Sequence, residues 1–294
     1  MEKKRIVVYV WISCLVIAAI GFVLITWFHP QGILDKYWVV LPFLFAISAF
    51  CEYIDSSLGM GYGTTLTPTL LILGVVRQEI VPVILLSEFL TGIFSAIAHT
   101  REGNVIFKNN SNIKKSLLLL AIPSLIGAIV STFLGSRLKS LGQHNLNIYI
   151  GFMIFVIGIY LVYKNYFNNK KGDSISVPRL MTLGLIASFN KGLSGGGYGP
   201  LLTGGQLAAG VREKEAVVIT SICESFTCFI GLIVFFILGG KLNFYYTIPI
   251  CLGALISVIP AAKTVKILPQ GMLSKTIGWA TIFLGLITLW KFLN

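Results

Sequence analysis

Long apolar runs alternate with short polar connections along the chain, and most of these runs have the length of a membrane-crossing helix. A helix needs about 20 apolar residues to cross the hydrocarbon core of a bilayer. Runs of roughly this length lie at 6–28, 80–98, 117–135, 146–162, 216–238, 245–262 and 276–290. The pattern therefore predicts an all-α polytopic membrane protein.

Two further apolar regions, 38–76 and 180–211, are interrupted by glycine clusters. The first cluster reads Gly-Met-Gly-Tyr-Gly at 59–63, and the second reads Gly-Gly-Gly-Tyr-Gly at 195–199. Because glycine lets a chain turn sharply, we predict a glycine-broken helical hairpin in each region, either re-entrant or discontinuous. Both arms of each hairpin could instead span the membrane.

The two glycine-broken regions are copies of one unit. A shift of 136 residues aligns them without a gap, and after a shorter loop the match resumes at a shift of 126. The aligned pairs include Gly61 with Gly197, Tyr62 with Tyr198, Gly63 with Gly199, Glu88 with Glu224, and Pro123 with Pro249. Such self-similarity indicates a duplicated architecture. We predict an N-terminal transmembrane anchor helix (1–37), a first repeat (38–165), a cytoplasmic linker (166–179) and a second repeat (180–294).

The basic residues indicate how the chain is oriented. Charged residues make up 12% of the chain, against about 25% in an average soluble domain. The basic positions lie between apolar runs rather than on one face, so the net charge of +12 does not indicate nucleic-acid binding.

Each glycine-broken region is taken to enter and leave on one side of the membrane. Of the 23 Lys and Arg residues, 16 then face the cytoplasm, six face outward, and Lys191 stays within the membrane. By the positive-inside rule we predict a multi-pass protein of the cell (inner) membrane with a cytoplasmic N-terminus. Its two halves are inverted, and each has three transmembrane helices plus a hairpin.

Inverted repeats with glycine-broken helices are typical of secondary transporters, in which half-helix N-termini point at a substrate near the midplane. Helix N-termini carry a partial positive charge and so favour anions. We therefore predict that a small anion binds between the two breaks. The candidate binding residues are Gly61, Tyr62, Gly63, Thr64, Lys191, Ser194, Gly197, Tyr198 and Gly199. Alternatively, the glycines only permit close packing of helices.

Five ionisable residues lie inside apolar runs, where such residues are rare and usually functional. They are Glu52, Asp55, Glu88, Lys191 and Glu224, and the four acidic ones are candidates for coupling transport to protons. Glu88 and Glu224 are equivalent in the repeat, and could carry protons or accept hydrogen bonds from the hairpin backbone. Asp55 and Lys191 are equivalent but opposite in charge. They could form an ion pair across a pseudo-twofold axis, or Lys191 could hold the anion directly.

The sequence around Ser194, Gly-Leu-Ser-Gly-Gly, fits the nucleophile elbow of hydrolases. That chemistry needs a histidine base near the serine, whereas His29, His99 and His144 fall at predicted membrane edges. We therefore expect no enzymatic activity and interpret Ser194 as a helix-end or substrate donor. An intramembrane serine enzyme and a non-transporting scaffold are the alternatives. No cofactor or metal site is predicted, since the five cysteines all lie in apolar runs without metal-ligand spacing.

Beyond the glycine clusters, both copies carry further shared motifs. The first copy contains Leu66-Thr67-Pro68 and Leu73-Gly74, and the second contains Pro200, Thr203-Gly204 and Gly210. With these motifs, residues 42–293 resemble the TauE/SafE family of sulfite-exporter-like permeases. The resemblance implies transport of a sulfur-containing anion such as sulfite or an organosulfonate.

Overall fold

The computed structural model of the protein describes residues 37–72, 75, 77–107, 111–137, 177–194, 196–268 and 272–293, together with parts of 148–163. Its helices are, in chain order, α1 (Tyr37–Leu58), α2 (Tyr62–Ile72), α3 (Arg77–Arg101), α4 (Ser111–Arg137), α5 (Val177–Ser194), α6 (Tyr198–Ala208), α7 (Glu213–Ile237), α8 (Phe244–Ile267) and α9 (Met272–Leu293). No strand occurs in these residues. The predicted all-α class is confirmed.

Helix length separates two kinds of element. Within the described residues, α1, α3, α4, α7 and α8 are long and apolar enough to cross a membrane. By contrast, α2 and α6 have 11 residues each. At 1.5 Å per residue each is about 16 Å long, roughly half of the hydrocarbon core of a bilayer.

Polar residues stabilise several helix starts. Glu79 lies in the first turn of α3, and Glu213 and Glu215 lie in the first turn of α7. A negative charge at these positions interacts favourably with the helix dipole. At the start of α8, the Asn243 side chain accepts the backbone N–H of Tyr245 at 3.1 Å, which satisfies a donor that has no partner inside the helix.

Helices from the two halves of the chain pack against each other. α1 packs against α8, α4 against α5, and α3 against α7. Gly127 of α4 and Gly253 of α8, which the repeat makes equivalent, lie directly against backbone carbonyls of the neighbouring helix. A Cβ atom on Gly127, for example, would lie 2.7 Å from the carbonyl oxygen of Leu185. Because glycine has no side chain, the helix backbones approach closely at these positions, as is common between membrane helices.

The outer surface of the helices is apolar. Phe94, Ile122 and Leu252 are 53%, 57% and 55% exposed, and many other large apolar side chains share this orientation. Such a surface is unfavourable in water and suits lipid. Buried apolar clusters lie inside, one around Met60 and Tyr198 and another around Tyr62 and Leu66.

Several predicted segments lie outside the described residues. These are the anchor helix at 6–28, most of the linker at 166–179, and part of the apolar run at 146–162. The boundaries predicted for the anchor, the repeats and the linker therefore stay predictions.

Candidate functional site

Each glycine cluster lies where one helix ends and the next begins, α1 passing into α2 and α5 into α6. Gly59, Gly61 and Gly197 have φ angles of 70°, 127° and 80°. This left-handed region is accessible to glycine and costly for residues with a side chain. A valine at Gly61 or Gly197 would therefore strain the backbone whether or not a ligand binds nearby.

The two glycine clusters contact each other directly. A Cβ atom on Gly199 would lie 2.6 Å from the Cα of Met60, and one on Gly196 would lie 3.0 Å from the carbonyl oxygen of Gly63. The Thr203 hydroxyl donates a hydrogen bond of 2.6 Å to the carbonyl of Gly59. The structure thus brings together the two breaks between which the anion site is predicted.

Lys191 is completely enclosed where α3, α5 and α7 meet. Its side chain is 1% exposed, and its ammonium group forms ion pairs with Glu88 of α3 and Glu224 of α7. The Nζ atom lies 2.8 Å from Oε1 of Glu224. The two glutamates that the repeat makes equivalent therefore share one ammonium group. This arrangement links three helices through one buried cation.

Asp55, the repeat equivalent of Lys191, is bound to backbone. Its Oδ1 accepts the N–H of Tyr62 at 3.3 Å, at the first residue of α2. Among the described residues, the acidic groups within 4.0 Å of Lys191 are Glu88 and Glu224. The Asp55–Lys191 ion pair, one of the two arrangements that the sequence left open, does not form in this structure. The lysine side chain extends to α3 and α7, while the aspartate binds an N–H at the start of α2.

Two buried carboxyl groups are only half satisfied. Ser56 donates to Oε1 of Glu52 at 2.6 Å, and the Cys228 thiol donates to Oε2 of Glu88 at 3.5 Å. The other oxygens, Oε2 of Glu52 and Oε1 of Glu88, have no hydrogen-bond partner among the described residues. A buried carboxylate oxygen without a donor is unfavourable, so these atoms are suited to gain a proton or a ligand.

The tyrosines of the two motifs point into the protein. The side chains of Tyr62 and Tyr198 are fully buried. The Tyr62 hydroxyl bonds Ser48 at 3.0 Å and Ser87 at 2.5 Å. The Tyr198 hydroxyl bonds Ser124 at 3.2 Å. Both hydroxyls are therefore engaged with the helices around them.

The other residues considered for the site are Thr64, Ser194 and His99. The Thr64 hydroxyl donates to the carbonyl of Gly61 at 3.1 Å. Ser194 is the last residue of α5, and its side chain is not among the described ones. His99 lies with Nε2 at 2.8 Å from the carbonyl oxygen of Ser56 and Nδ1 at 3.0 Å from the amide nitrogen of Asn104. This histidine is bound to residues other than Ser194.

Sequence analysis missed two kinds of residue. Cys228 follows Glu224 by four positions, so helical spacing places both on one face, and that spacing was the available signal. Ser48 and Ser124 form hydrogen bonds with the two tyrosines. The sequence gave no signal for this role, because serine is common within apolar membrane helices.

Comparison with known proteins identifies relatives of this chain. The sequence matches the family described as "Sulfite exporter TauE/SafE" over residues 43–288. It is 32% identical over 163 residues to the "Probable membrane transporter protein YtnM" of Bacillus subtilis (strain 168). That match covers 53% of this chain and 51% of the relative, so the chain spans about half the length of the curated relative it matches. No solved structure matches the chain. The family match includes both glycine clusters and, among the described residues, most of α1 and the whole of the other four helices that are long enough to cross a membrane. The chain is therefore a multi-pass membrane protein that belongs to the sulfite exporter TauE/SafE family.

Proposed function

We propose that this protein is a secondary transporter that carries a small anion across the cell membrane by alternating access. The anion is sulfite, an organosulfonate or another sulfur-containing anion. The observation that carries the proposal is the buried ammonium group of Lys191, on the helix that leads into one of two touching helix breaks. Transport is supported by the relative's printed name, and the sulfur chemistry rests on the description of the family.

Helix boundaries support the inverted repeat. α2 and α6 begin and end at residues 136 positions apart, and so do α3 and α7. The packing of α1 on α8 corresponds to that of α5 on α4. The short length of α2 and α6 favours re-entrant hairpins. In this arrangement residues 38–165 and 180–294 are the two halves, and the basic loops place the N-terminus in the cytoplasm.

The two helix breaks differ in what occupies them. The Asp55 carboxylate binds the N-terminus of α2, whereas at the N-terminus of α6, at Gly197, no side-chain cap is formed among the described residues. Lys191 stands at the position equivalent to Asp55. Since a carboxylate binds at the start of α2, the equivalent start of α6 is suited to bind an anion as well. We therefore place the substrate anion at the start of α6, with Lys191 as its countercharge.

The closeness of the breaks supports alternating access. Gly199 lies against Met60, and Gly196 lies against Gly63, so the residues around the start of α6 leave little room for an anion in this conformation. An anion enters when the two breaks move apart. Such rocking of one half against the other is the usual motion of inverted-repeat transporters.

The alternative functions have less support. A serine enzyme needs a base for Ser194, and His99 instead binds Ser56 and Asn104. A scaffold does not need a buried lysine between two carboxylates, an arrangement whose desolvation costs several kcal/mol per ion as an order of magnitude. Transport accounts for this cluster because a substrate site must hold charge inside the membrane.

The proposal is tested with the purified full chain in liposomes. Counterflow of ³⁵S-labelled sulfite and methanesulfonate is measured for the wild type and for Lys191→Met. We expect flux in the wild type and a loss of about tenfold or more in the variant, because the variant lacks the countercharge of the anion. A factor of ten corresponds to roughly 1.4 kcal/mol of lost binding. Lys266→Met is the matched control, since this lysine is 57% exposed and pairs with Glu102 at the surface.

Three outcomes would count against the proposal. Absence of flux for both anions in folded wild-type protein would contradict transport of this class. Full activity in Lys191→Met would contradict the placement of the anion beside Lys191. Chemical conversion of the added anion by the wild type, together with its loss in Ser194→Ala, would favour the serine enzyme.

A further inference from the structure

Glu88 and Glu224 compete with any substrate anion for the same ammonium group. Both carboxylates are paired with Lys191, and all three side chains are almost fully buried. An anion that takes the place of either carboxylate on the lysine leaves that carboxylate without its cation. A displaced carboxylate in the membrane interior has no water to stabilise its charge.

Charge neutrality decides what happens to the displaced group. With one glutamate ionised and the other protonated, the charges of the three side chains sum to zero. A bound monoanion adds a negative charge, and the sum returns to zero when the second glutamate also carries a proton. Uncompensated charge is strongly unfavourable at low dielectric, so anion binding and proton binding are favourable together.

We propose that Glu88 and Glu224 form the proton-binding site that couples anion transport to protons. The incoming anion replaces one carboxylate on Lys191, and that carboxylate takes a proton from the open side of the membrane. The anion and the proton leave on the other side, where the carboxylate pairs with Lys191 again. This inference rests on the proposed function, because it presumes that an anion binds at Lys191.

The geometry favours Glu88 as the first group to be protonated. Its Oε1 is buried and has no hydrogen-bond donor among the described residues. Oε1 of Glu224, by contrast, is held by Lys191 at 2.8 Å. A proton on Oε1 of Glu88 removes an unsatisfied charge without displacing an existing hydrogen bond.

Titratable groups on the surrounding helices also favour protonation of Glu88 and Glu224. Among the described residues, those that face the cluster are Glu52 and Asp55 of α1, Tyr62 of α2, Tyr198 of α6, and Cys223 and Cys228 of α7. Asp55 is held by the start of α2, and Glu52 is held by Ser56. Within the described part of the chain, Lys191 is the cation that faces them. An excess of acidic groups around one cation favours protonation of the glutamates.

The first test measures proton movement with the full chain in liposomes that contain a pH-sensitive dye. Methanesulfonate is the probe, because it stays ionised at all relevant pH values and any pH effect then belongs to the protein. We expect an imposed methanesulfonate gradient to move protons in the same direction in the wild type. In the double variant Glu88→Gln with Glu224→Gln this proton movement is lost while methanesulfonate counterflow persists, whereas each single variant keeps one glutamate that can take the proton. Glu102→Gln, at the exposed pair with Lys266, keeps both.

The second test needs no transport. Calorimetric titration of the solubilised wild type with methanesulfonate, in buffers of different ionisation enthalpy, counts the protons taken up on binding. We expect net proton uptake at neutral pH and none in the double variant Glu88→Gln with Glu224→Gln, which still binds.

The outcomes separate the two proposals. Wild-type methanesulfonate flux without proton movement, or proton coupling that survives in the double variant Glu88→Gln with Glu224→Gln, would overturn the coupling inference and leave transport intact. Absence of both sulfite and methanesulfonate flux in the wild type would contradict the proposed function itself.

Discussion

The carboxylate of Asp55 accepts the backbone N–H of Tyr62 at 3.3 Å, so the last turn of α1 caps the first residue of α2. This contact is possible because Gly59 and Gly61 adopt left-handed conformations and turn the chain back on itself. In the second half the equivalent side chain is Lys191, which extends away to two glutamates. A single repeat position thus makes the two breaks chemically different.

Replacing Asp55 tests the importance of this cap. We expect Asp55→Ala to lower the free energy of unfolding by about 1 kcal/mol, the usual cost of losing a helix cap. Asp55→Asn keeps an oxygen acceptor and should lose less. Unfolding in mixed micelles with increasing SDS measures both variants. Equal stability of Asp55→Ala and the wild type would show that the hydrogen bond contributes nothing.

Gly199→Ala tests the contact between the two breaks. The added Cβ would lie 2.6 Å from the Cα of Met60 and 2.7 Å from the carbonyl oxygen of Gly59, both of which are backbone atoms that move only with their helices. Overpacking of this kind costs about 1–3 kcal/mol, so we expect a lower temperature of unfolding and loss of flux.

Gly231→Ala is the matched control for Gly199→Ala. Its Cβ would lie 3.4 Å from a terminal carbon of Leu85, an ordinary van der Waals contact with a flexible side chain. We expect unchanged or slightly increased stability, since alanine favours a helix interior. Similar losses in both variants would indicate general sensitivity of glycines rather than contact between the breaks.

Tyr62→Phe tests the buried hydroxyl network of the first half. The Tyr62 hydroxyl bonds both Ser48 and Ser87, and its removal leaves buried serine hydroxyls without this partner. We expect a loss of about 1–3 kcal/mol in the free energy of unfolding. Tyr198→Phe should lose less, because its bonds to Ser124 and Thr227 are longer, at 3.2 and 3.5 Å. Tyr160→Phe, at an exposed position, should be neutral.

Single cysteines on a cysteine-free background test the orientation. Ile106→Cys lies in the loop between α3 and α4, and Lys241→Cys lies in the loop between α7 and α8. Both positions are exposed. In intact cells an impermeant thiol reagent should label Lys241→Cys and leave Ile106→Cys unlabelled until the membrane is permeabilised. The reverse pattern would invert the predicted topology.

The sequence alone determined the helical class, the membrane-length runs and the family. These features depend on local properties of the sequence. They are the length of each apolar run, the distribution of basic residues among the loops, and the presence of glycine where the backbone must turn. α2 starts at Tyr62 and α6 at Tyr198, each inside a glycine cluster and directly after a glycine. Resemblance between the two copies also indicated that Glu88 and Glu224 belong together.

Only the tertiary structure decided which partner each of these side chains has. Repeat symmetry suggested Asp55 as the partner of Lys191, yet the lysine pairs with Glu88 and Glu224. The tyrosines expected near the anion instead bond serines within the bundle. A sequence repeat states which positions are equivalent. Side-chain reach and the close approach of glycine-lined helices determine which atoms meet, and both depend on how distant parts of the chain pack in three dimensions.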